Sequence, residues 1–142
     1  MRVLGVDLSS TRWDWNGTAL LTVDDGVCTA LDRGAVRWPA VPISPAAMAA
    51  AILDTAVEHD AAAVAIDGPQ GWRDPRRPLE EGVGRACERA AATPGKTGWR
   101  RTYPANYLGW TTFAIRLFDM LLADPRVALD APDAAGLAVV GA

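Results

Sequence analysis

The chain is poor in the residues that make several chemistries simple. Its 142 residues include two cysteines, Cys28 and Cys87, and one histidine, His59. The cysteines lie far apart, and neither has a second Cys or His at metal-ligand spacing. That argues against a zinc site or a disulfide scaffold and fits a reducing, cytoplasmic compartment with buried thiols. One His without a neighbouring Ser or Cys nucleophile argues against a catalytic triad. At the end of a predicted helix, His59 is suited to meet terminal carbonyls. No apolar run reaches the roughly 18 residues of a membrane span. The N-terminus, Met1-Arg2-Val3-Leu4-Gly5-Val6-Asp7, turns acidic too soon for a signal peptide. Lysine is nearly absent: Lys96 stands alone among 14 basic residues.

What is present is a core-forming composition. Half the chain is apolar, although 27 of those residues are alanine. The larger apolar residues still suffice for one domain spanning 1–142. The net charge of −3 conceals a strong asymmetry. Residues 1–67 carry 4 basic and 9 acidic groups, whereas residues 68–118 carry 9 basic and 4 acidic groups. The middle of the chain is therefore a basic island, built almost wholly of arginine. Arginine suits bidentate phosphate contacts, although codon bias alongside the Ala, Gly and Pro excess explains the same usage.

Hydrophobic patterning predicts an ordered series of elements. Residues 2–8 read as a buried strand, 18–23 as a second and 27–36 as a third. Asp24-Asp25-Gly26 marks the hairpin between the last two. Ser44-Pro45 opens a helix running to Glu58, since Ser caps and Pro favours the first helical position. Met48, Ile52, Leu53 and Ala56 share its apolar face. Residues 61–67 are a buried strand closed by Gly68-Pro69, and a strand following a helix so closely implies a parallel crossover, with the first strand as neighbour. A helix over 79–92 places Leu79, Val83 and Cys87 on its packed face. A helix over 107–123 is apolar nearly all round and is expected to pack on several sides. Residues 126–130 read as a last strand, and 131–142 as a weakly patterned tail.

Three antiparallel strands, a helix and a strand returning beside the first make a specific α/β arrangement. It is a ribonuclease H-like mixed sheet, an antiparallel meander plus a parallel strand, with flanking helices. Asp7 and Asp67 end the two strands expected to pair. Adjacent strands lie about 4.8 Å apart, so the two carboxylates are placed to share divalent cations. Mg²⁺ or Mn²⁺ takes oxygen ligands and keeps positions open for substrate phosphates. Such ions stabilise the attacking and leaving oxygens of a phosphodiester displacement. The competing reading is that each Asp caps the turn that follows it.

These residues resemble a known family. Gly5-Val6-Asp7-Leu8-Ser9-Ser10, followed by Gly17-Thr18-Ala19-Leu20-Leu21, is similar to the opening of a bacterial and archaeal family of predicted ribonuclease H-like nucleases, domain of unknown function 429. Ala63-Val64-Ala65-Ile66-Asp67-Gly68-Pro69-Gln70-Gly71 resembles its second signature, a strand running into Ile-Asp-x-Pro-x-Gly. Arg85-Ala86-Cys87-Glu88-Arg89 resembles its third. The resemblance implies the ribonuclease H-like fold, metal-dependent nuclease activity, and Asp7 and Asp67 as metal ligands. It also implies further strands and a late acidic helix, of which Asp130 and Asp133 would be the only acidic traces. The expectation is a C-terminally shortened member.

Glu88 is the candidate for a third catalytic carboxylate, against a reading as part of a solvated ion-pairing face. Arg73, Arg85, Arg89, Arg100 and Arg101 are the candidates for substrate phosphate. Glu58 is a worse candidate, because a crossover puts it at the end of the sheet opposite Asp67. Gly95-Lys96-Thr97 completes a degenerate phosphate-loop pattern in the wrong context, after a helix rather than a strand. With Trp99, Arg100, Arg101 and Tyr103 that loop suits contact with a nucleic-acid strand. Trp13 and Trp72 follow the two Asp-bearing strands and are expected to wall one cleft. Two other readings compete with the nuclease: a non-catalytic relative that binds nucleic acid or protein, and a fragment of an actin-like or sugar-kinase-like ATPase.

Overall fold

The computed structural model describes residues 1–77, 84–129 and 137–141. Strand β1 (Arg2–Asp7) pairs antiparallel with β2 (Gly17–Asp24), which pairs antiparallel with β3 (Val27–Arg33). Helix α1 (Pro45–Glu58) crosses over to β4 (Ala63–Asp67), which lies parallel to β1. A short helix α2 (Ala86–Ala90) and a two-stranded ribbon, β5 (Lys96–Thr97) and β6 (Thr102–Tyr103), lead to helix α3 (Leu108–Leu122). Strands β7 (Val127–Leu129) and β8 (Leu137–Gly141) complete a mixed sheet of order β3-β2-β1-β4-β8-β7.

Local chemistry accounts for the first half. Ser44 caps α1 by accepting the Ala47 N–H at 3.2 Å, with Pro45 at the first helical position. Asp25 and Gly26 take the positive φ values of the hairpin turn, a conformation these residue types tolerate. Alternation then decides the faces. Leu4, Val6, Val64 and Ile66 point into the core, where they meet Met48 and Ile52 of α1 and Leu117 and Phe118 of α3. Gly5, Asp7, Ala65 and Asp67 therefore face the other way.

Several expectations change. Helix α3 does not pack on several sides: Thr111, Ala114, Leu117, Phe118 and Leu121 are buried, whereas Leu108, Met120 and Leu122 are exposed. Its apolar character exceeds what one sheet face needs. Within the described part of the predicted 79–92 helix, only Ala86–Ala90 is helical; residues 78–83 lie outside the described residues. The predicted tail supplies β8, parallel to both β4 and β7. Its short run of Leu and Val carried too little pattern to be read as a strand. Both thiols are exposed rather than buried. Cys28 sits on β3, an edge strand exposed throughout, and Cys87 on a helix that buries Glu88 instead. No helix among the described residues is long and apolar enough to cross a membrane.

The one-sided packing of α3 yields a direct test. Phe118→Ala is expected to cost about 3–5 kcal/mol of unfolding free energy. Met120→Ala should stay within about 0.5 kcal/mol. Urea denaturation of the two variants measures the contrast, and equal losses would contradict the assigned face.

Candidate functional site

The crossover through α1 brings β1 and β4 into parallel register, with Asp7 opposite Asp67. Both side chains are exposed at the carboxyl end of the sheet. Among the described residues neither carboxylate has a hydrogen-bonding or ion-pairing partner. On the other side of Asp7 stands Gly17, its direct partner on β2. A Cβ at Gly17 would lie 3.3 Å from the Asp7 Cβ and 3.7 Å from its Oδ2, so glycine leaves the carboxylate room to turn. Asn16 closes the loop after β1. Its Oδ1 accepts the Ser9 N–H at 2.7 Å, and its Nδ2 donates to the Arg12 carbonyl at 2.8 Å.

Two cavities meet at Asp67. The first, about 800 Å³, lies over the sheet face turned away from the core, and Asp7, Gly17, Ala65, Asp67 and Arg33 line it. Arg33 reaches this face through an irregularity in the ladder. The β2–β3 register shifts between Thr22 and Val23, so Ala19 pairs with Arg33. An unbroken ladder from the hairpin turn would have put Asp32 there. The extra residue thus exchanges an anion for a cation on the face that carries the two aspartates. Neither Arg33 nor Asn16 was found from sequence. The shift leaves no pattern to read, although the Gly17 beside Asn16 belongs to a recognisable motif.

The second cavity, about 720 Å³, lies between the end of β4, the segment 85–97 and the start of α3. Asp67, Glu88, Lys96, Tyr107 and Trp110 line it. Glu88 is only 6% exposed, not part of a solvated face. Its Oε2 accepts the N–H of Arg85 at 2.9 Å and of Thr97 at 2.8 Å, and its Oε1 accepts Arg85 Nε at 3.0 Å. Burial alone would raise its pKa, but the hydrogen bonds from Thr97 and Arg85 outweigh that and hold it below the ordinary glutamate value. Glu88 therefore ties α2 to β5. Gly84 packs against it so closely that a Cβ there would come within 2.8 Å of Oε2.

Of the candidate phosphate-binding arginines, Arg85 alone lines either cavity. Arg73 is 6% exposed and donates from Nη2 to the Arg77 carbonyl at 2.9 Å. Arg85 faces Glu88 at the second cavity, and Arg89 donates to the Gly84 carbonyl. Arg100 and Arg101 are exposed and lie over Trp99 and Tyr103, at 5.2 and 5.7 Å from the ring centroids. Trp13 and Trp72 line neither cavity. Trp13 instead stacks on Trp38, with centroids 5.1 Å apart, and donates to the Val41 carbonyl. Lys96 opens β5 and donates to the Thr93 and Glu88 carbonyls, so Gly95-Lys96-Thr97 enters a short strand and does not open a helix. Asp130 and Asp133 lie outside the described residues.

The donor set suits a hard cation. Mg²⁺ keeps several waters and is often held by one or two carboxylates plus substrate phosphate. Among the described residues no group of three or more metal-ligating side chains forms; the carboxylates that face each other across paired strand ends are Asp7 and Asp67. No family model, no curated protein and no solved structure matches the chain.

The pKa of Glu88 fixes the sign of a pH effect. Because the folded value is depressed, the stability this carboxylate adds is complete above the free glutamate value of about 4.3. It is lost as pH falls through the folded value. The urea midpoint of the wild type is expected to drop across that acidic window, and Glu88→Gln should flatten that part of the profile. Superimposable profiles would remove Glu88 from its linking role.

Proposed function

We propose that the protein is a metal-dependent phosphodiesterase of ribonuclease H-like fold, acting on nucleic acid. The observation that carries this reading is the parallel register of Asp7 and Asp67 at one sheet edge. The strand order β3-β2-β1-β4 with its α1 crossover supports the fold assignment. Asp7 and Asp67 would hold Mg²⁺ or Mn²⁺, which supplies charge neutralisation at the scissile phosphate. Arg33, on the same cavity wall, is placed to orient a phosphate oxygen. Gly17 keeps that wall open beside Asp7.

A second reading, a binding module without catalysis, draws on the ligand count: among the described residues two carboxylates, not three, converge. Both readings place nucleic acid at the same edge, and they differ in turnover. The ATPase-fragment reading would place phosphate at the Gly5-Val6-Asp7-Leu8-Ser9-Ser10-Thr11 segment, at the same strand end, and stabilisation by ATP would favour it.

Cleavage of labelled single-stranded, duplex and hybrid substrates, with Mg²⁺ or Mn²⁺ titrated in, decides between them. Second-layer partners of metal ligands already cost about 10–100-fold when removed. Asp7→Asn and Asp67→Asn are therefore expected to lower cleavage by about 100-fold or more and to weaken metal binding. Arg33→Ala should raise KM more than it lowers kcat. Equal metal affinity in the wild type and both Asn variants would end the paired-carboxylate reading. Metal binding without cleavage would favour the binding module.

A further inference from the structure

The geometry points to the second cavity as a pocket for one unpaired nucleobase, adjacent to the phosphodiester at Asp7 and Asp67; this rests on the phosphodiester reading above. Position is the first argument. Asp67 borders both cavities, so a ligand in the second lies one side chain from the carboxylate pair. Size is the second, since about 720 Å³ falls within the usual range for small-molecule sites.

Wall chemistry selects the ligand. Tyr107 and Trp110 stand edge to face, their centroids 6.4 Å apart. The Trp110 indole is held by its Nε1–H, which donates to the Leu8 carbonyl at 3.0 Å. Leu8 follows Asp7 directly, so this ring is fixed relative to the metal edge. Gly95 backs the Tyr107 ring so closely that a Cβ would lie 3.0 Å from Cδ2 and Cε2. Pro69, Pro94 and Ala91 add uncharged surface. The cations at the wall are already engaged: Lys96 with backbone carbonyls, Arg85 with Glu88. A free phosphate would compete with those bonds, whereas a flat heteroaromatic ring finds rigid faces. Base-on-aromatic stacking tolerates any sequence because every base has a π face.

The surroundings extend the argument from one base to a strand. Thr97 and Thr102, on β5 and β6, line the same cavity. That ribbon carries the exposed Arg100–Trp99 and Arg101–Tyr103 pairs. Cationic and aromatic side chains in alternation are how single-stranded nucleic acid is tracked. A base inside the pocket is out of its helical stack, so a duplex must pay to flip it. The site therefore prefers single strands or frayed ends.

Fluorescence anisotropy with labelled single-stranded DNA and RNA of about 10 nucleotides, a length typical of single-strand sites, tests the pocket in EDTA. The same strand with central abasic residues and the matched duplex serve as comparisons. The intact single strand should bind about tenfold tighter than either, and Tyr107→Ala should erase that difference while Tyr107→Phe keeps it. Ala91 is exposed at the pocket wall, so Ala91→Phe fills the space without touching the core. It should cause the same loss with an unchanged thermal midpoint. Equal binding of intact and abasic strands, or of single strand and duplex, would overturn the inference. So would wild-type discrimination in a folded Ala91→Phe variant. Base-dependent binding without metal-dependent cleavage would leave the pocket standing and overturn the phosphodiesterase reading.

Discussion

The parallel pairing of β1 with β4 is the constraint on which the rest of the structure depends. It sets Asp7 against Asp67, and it can form only because α1 carries the chain back across one face of the sheet. Two exposed carboxylates on neighbouring strand ends repel each other. The fold tolerates them because the core is built one residue away in each strand, by Leu4, Val6, Val64 and Ile66. Burial of those side chains holds the register, and the register holds the aspartates together. A one-residue slip would send the apolar set to solvent and the carboxylates to the core.

The same alternation divides the sheet into two unlike faces. One is filled by α1 and α3, with Met48, Ile52, Leu117 and Phe118 at its centre. The other is made of small residues beside Asp7 and Asp67, and it stays open as a cavity bordered by Arg33. The irregularity between Thr22 and Val23 belongs to this second face. It leaves Thr29 out of the strand register and places a cation where an unbroken strand would put Asp32. Charge complementarity at the edge is thus decided by backbone geometry.

Glu88 shows how a polar residue can be buried at little cost. Its two oxygens gather three N–H donors, from Arg85 and Thr97, and a satisfied carboxylate of this kind joins two short elements with no apolar core of their own. Trp110 plays the corresponding part for α3. Its single hydrogen bond to Leu8 links residues 102 positions apart and sets the wall of the second cavity against the end of β1. The two cavities are therefore linked through the end of β1, although different parts of the chain build them.

Much of the first 67 residues was legible in sequence, because there local signals and the tertiary outcome agree. Ser44-Pro45 starts a helix, Asp25-Gly26 turns a hairpin, and short apolar runs ending in Asp7 and Asp67 make strands. Period and turn chemistry suffice for such elements, and they suffice for the aspartate pair once the crossover is inferred. Later positions were decided by partners distant in the chain. Glu88 is buried because Thr97 and Arg85 reach it, and Cys87 is exposed for the same reason. Arg33 faces the aspartates because of a shifted register, and Trp13 turns to Trp38 rather than to the carboxylate edge. Through residue 67, sequence by itself determined where the chain is strand, helix or turn and which carboxylates end its strands. Only the tertiary structure decided which cations, rings and cavities those carboxylates meet, because such neighbours are set by packing between distant segments, which leaves no local period.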